Sequence, residues 1–115
     1  MRKQMIETAA FEVATQVRTV EDSIEQALSE IAELQGRMLR ARAVAGVSTA
    51  TGHAALEQLG IALQSLISAR GGMAQCHGAL KDSQQFVPGL RTVSFGEGDE
   101  CPPAQAALPA LRVVA

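Results

Sequence analysis

The chain has 115 residues, a formal net charge of −2 and 47% hydrophobic residues. That length fits one domain, that charge supplies no field to draw the molecule onto nucleic acid or an anionic membrane, and that hydrophobicity exceeds what a wholly disordered chain shows. Aromatic residues make up only 3%, with no Trp and no Tyr. A core must therefore come from Ala, Val, Leu, Ile and Met, which suits helix-on-helix contact better than a β-sandwich.

The N-terminus, MRKQMIETAAFEV, starts basic but meets Glu7 and Glu12 before an apolar run develops, unlike a secretory signal. No stretch approaches the ~20 apolar residues of a membrane span. Two cysteines, Cys76 and Cys101, are too few for a disulfide framework. These features lead us to expect a cytoplasmic protein with no membrane partner.

The first predicted helix covers about residues 3–45. Ile6, Ala10, Val13, Val17, Val20, Ile24, Ala27, Ile31, Leu34, Met38, Ala41 and Ala45 alternate spacings of four and three, and all are apolar. Chance gives such a run roughly one time in a thousand at this composition. The strict seven-residue repeat predicts a coiled-coil seam and a helical partner of similar length. Apart from Lys3 and Arg18, acids (Glu7 through Glu33) precede bases (Arg37, Arg40, Arg42) along it, which complements the helix dipole. Three arginines without interleaved aromatics read as a solvated helix end, not a nucleic-acid patch.

Gly46 supplies a helix stop, and Ser48, Thr49 and Thr51 are suitable N-caps. The second helix is therefore expected over about residues 49–87, antiparallel to the first in an αα-hairpin. Its seam is expected at Ala55, Leu59, Ala62, Leu66, Ala69, Met73, Cys76, Leu80, Ser83 and Val87. A small residue every seven would let the two backbones approach closely. The principal seam residues of the hairpin are thus Val17, Ile24, Ile31, Leu34, Leu59, Leu66, Met73, Cys76 and Leu80.

Between residues 52 and 80 only Glu57 and Arg70 are charged. Leu56, Leu63 and Ile67 widen the apolar stripe, with Leu28 and Leu39 as counterparts on the first helix. Two helices cannot cover both the seam and these flanks, so the flanks are expected to form an oligomer interface. The predicted fold class is all-α: a long antiparallel hairpin that dimerises into a four-helix bundle. Gly71-Gly72 marks a place where the second helix could break. Residues 88–115 hold all four prolines and read as a mostly disordered tail.

Cys76 and His77 are adjacent, so on a helix they point ~100° apart and cannot share a metal or act as a nucleophile–base pair. Cys76 reads as a small seam residue and His77 as a half-exposed rim residue. No phosphate-cradling loop or nucleophile elbow occurs. The stretch from His77 to Ser83 resembles the phosphoacceptor segment of histidine phosphotransfer modules. Lys81 falls one place late, and Asp82 stands where that segment carries glycine. The resemblance implies His77 as phosphoacceptor.

The leading expectation is a non-enzymatic interaction, scaffold or adaptor protein with no cofactor and no metal. Its partner is itself, as a homodimer or higher, or another helical protein. A helical substrate or helper of a secretion or assembly machine is the first alternative, and phosphotransfer the second.

Overall fold

The computed structural model describes residues 2–87. These are all-α, with no strand among the described residues: α1 (Arg2–Ala45) and α2 (His53–Gln84) form a helical hairpin. Two compact units share these helices. One is Thr19–Met73, with the C-terminal part of α1, the turn and most of α2. The other joins the described residues up to Arg18 with those from Ala74 on. The expected tail, Cys101 included, lies outside the described residues.

α1 runs 44 residues with one glycine and no proline. Arg40 folds back over that glycine, its Nη1 lying 3.2 Å from where a Gly36 Cβ would stand. The helix stops at Gly46, whose φ of 69° is the left-handed geometry that side chains resist. Its N–H donates to the carbonyls of Arg42 (3.0 Å) and Ala43 (3.2 Å), the αL cap expected there. The Arg42 guanidinium donates to the Val47 carbonyl at 2.8 Å, tying the turn to the helix end.

α2 begins at His53, four residues later than the expected start near 49. The candidate caps are used differently. The Thr51 N–H donates to the Ser48 carbonyl at 3.1 Å, and the two hydroxyls lie 3.5 Å apart. Ser48 and Thr51 thus close the turn on each other. Gly52, at φ 79°, becomes the cap, its carbonyl accepting from Ala55 (3.1 Å) and Leu56 (3.2 Å). At the other end α2 stops at Gln84, short of the expected 87, in turns that bond Phe86 to Ser83 (3.0 Å) and Val87 to Gln84 (3.1 Å). Gly71 and Gly72 lie inside an unbroken helix.

The packed face of α2 keeps Leu59, Leu66, Met73 and Leu80 of the expected seam and differs from it in the alternate positions, which move one residue later. Leu56, Leu59, Leu63, Leu66 and Met73 are half-buried in the Thr19–Met73 unit, while Ala55, Ala62 and Ala69 are exposed. In the other unit His77 is buried and Cys76 exposed, the reverse of the expected arrangement. The packed repeat is therefore Leu56, Leu63 and His77, with the exposed Arg70 at the intervening position, alternating with Leu59, Leu66, Met73 and Leu80. Leucine explains the shift: it carries three carbons more than alanine, each favouring burial by roughly 0.8 kcal/mol when fully covered. α1 turns the same way by a smaller amount. Ile24, Ile31 and Met38 are half-buried, while Val13, Leu34 and Ala41 are exposed and Ala14, Leu28 and Arg42 half-buried.

Candidate interaction surface

The described hairpin has very little interior. Val17 at 8% exposure is the one buried apolar residue among those described, and His77 at 3% the one buried polar residue. The remaining seam positions, including Ile24, Ile31, Leu59, Leu66, Met73 and Leu80, are half-buried. Two helices touch along one line, so each seam side chain keeps an uncovered edge. Large apolar groups stand outside the seam: Leu34, Leu39, Ile61 and Ile67 are about half exposed, and Phe11 and Phe86 more so.

The residues expected to form an oligomer interface divide into two sets. Leu28, Leu56 and Leu63 are half-buried in the packed stripe of their own hairpin, not on its flank. Leu39 and Ile67 are exposed at 46% and 47%. The seam gains Leu28, Leu56 and Leu63, and it leaves out Leu34 and Cys76. The missed signal lay in side-chain size. Leu56 and Leu63 follow directly after Ala55 and Ala62, and the larger residue of each pair takes the covered place.

Charged groups are spent locally. In the Thr19–Met73 unit the Arg70 guanidinium pairs with the Glu25 carboxylate across the two helices. This pair matches residue 25 of α1 with residue 70 of α2 and so marks the antiparallel register. Both side chains are more than half exposed, so its contribution is at most about 1 kcal/mol. Glu33 accepts Arg37 at 3.0 Å and lies 3.8 Å from Arg40. Together with the Arg42 bond to the turn, this engages the three arginines at the end of α1 with neighbouring residues.

The chain matches no protein-family model, no curated protein and no solved structure.

Among the described residues, chemistry-bearing side chains do not converge. Cys76 faces solvent while His77, including its Nε2 atom, is enclosed. Their divergence follows from the ~100° step between helix neighbours. His53 sits at the start of α2, with its Nε2 3.9 Å from Glu57. Among the described residues no three His, Cys, Asp or Glu side chains are placed to hold a metal ion, and no helix is long and apolar enough to cross a membrane. The hollows along α1, one at Thr19, Asp22, Ser23, Gln26 and Ala27 and one at Gln4–Glu12, are each bounded by a single helix and open to solvent.

Proposed function

We propose that this chain is a non-enzymatic, self-associating helical-hairpin protein that acts as a scaffold or adaptor through helix-to-helix contact. The observation that carries the reading is the contrast, among the described residues, between one buried apolar residue, Val17, and the half-exposed Leu34, Leu39, Ile61 and Ile67. Each such side chain leaves on the order of 1 kcal/mol of burial unrealised. Helices held by so thin an interior are marginal alone, and a second hairpin supplies the missing cover. The low charge of α2 supports the same reading, because it lets helix approach helix without desolvating ions.

The enclosure of His77 weighs against phosphoryl transfer, since a phosphoacceptor must present its ring nitrogen to a partner.

Sedimentation velocity with far-UV circular dichroism, from sub-micromolar to high-micromolar protein, tests the proposal. The expected result is a dimer or higher species whose helicity falls as dilution dissociates it. A fully helical monomer at every concentration overturns it.

A further inference from the structure

We draw no further inference here: the strongest candidate, the exposed apolar flank of the Thr19–Met73 unit at Leu39 and Ile67, belongs to the interaction surface already described, and nothing in the structure shows what covers it.

Discussion

Replacing Gly71 and Gly72 together by alanine should stabilise the protein, and the size of the effect can be worked from the surroundings of the two residues. Both lie inside α2, and neither is among the glycines with positive φ. A Cβ added at either meets nothing within 4 Å beyond the helix's own backbone. Alanine therefore brings no clash, and the full difference in helix propensity, about 0.8–1.0 kcal/mol per site, is available. Helix propensity acts residue by residue and neither Cβ meets a neighbour, so the two gains together come to roughly 1.5–2 kcal/mol. For a domain of this size, 1 kcal/mol corresponds to about 4–8 °C in Tm, so the double variant should melt roughly 6–16 °C higher. Thermal melts by far-UV circular dichroism, at matched protein concentration, measure it. An unchanged or lowered Tm would refute the reasoning, because it would mean that another backbone occupies the space beside this pair.

Other substitutions separate the structural roles further. Gly46→Ala and Gly52→Ala should each destabilise by about 1 kcal/mol in the same melts, the opposite sign from Gly71 and Gly72, because φ of 69° and 79° strains any Cβ. His77→Ala should cost about 2 kcal/mol by opening a gap at a buried site. Cys76→Ala, on the exposed neighbour, should stay within about 0.5 kcal/mol by urea denaturation. A double-mutant cycle on Glu25 and Arg70 should give a coupling below about 1 kcal/mol that shrinks with added salt, since both groups are more than half exposed.

The two helices of the described residues, the end of α1 at Gly46 and the direct run into an antiparallel partner were legible because each depends on local information. An apolar repeat of seven, an absence of proline and a glycine stop suffice. The start of α2 was less legible. Three hydroxyl residues compete to cap it, and their hydrogen bonds to each other, not their individual propensities, decide the outcome. The face of α2 was misread because Ala55, Ala62, Ala69 and Cys76 form as regular a series as Leu56, Leu63, Arg70 and His77. Periodicity cannot choose between two series one residue apart. Burial chooses, and it weighs the series by size. The same error moved Leu56 and Leu63 from the seam to the flank of the expected interface.

That choice sets two parts of one helix against each other. Early in α2, turning Leu56 and Leu63 inward in place of Ala55 and Ala62 favours the observed face, by about 1 kcal/mol per position when half covered. Later the preference reverses, since the same turn brings in Arg70 and His77 and leaves out Ala69 and Cys76. An unbroken helix cannot satisfy both preferences, because one residue is a ~100° step. The later residues adapt according to side-chain length. Arg70 is long enough to extend out of the seam and reach Glu25, keeping its charge exposed. His77 is shorter and remains enclosed. Arg70→Leu isolates this conflict. It would complete the leucine series at the packed position, and the gain in burial should exceed the loss of an exposed ion pair, giving a net stabilisation of about 1 kcal/mol in urea denaturation. A destabilisation of that size would show that Arg70 contributes through its pairing and that leucine size does not govern which face of α2 is packed.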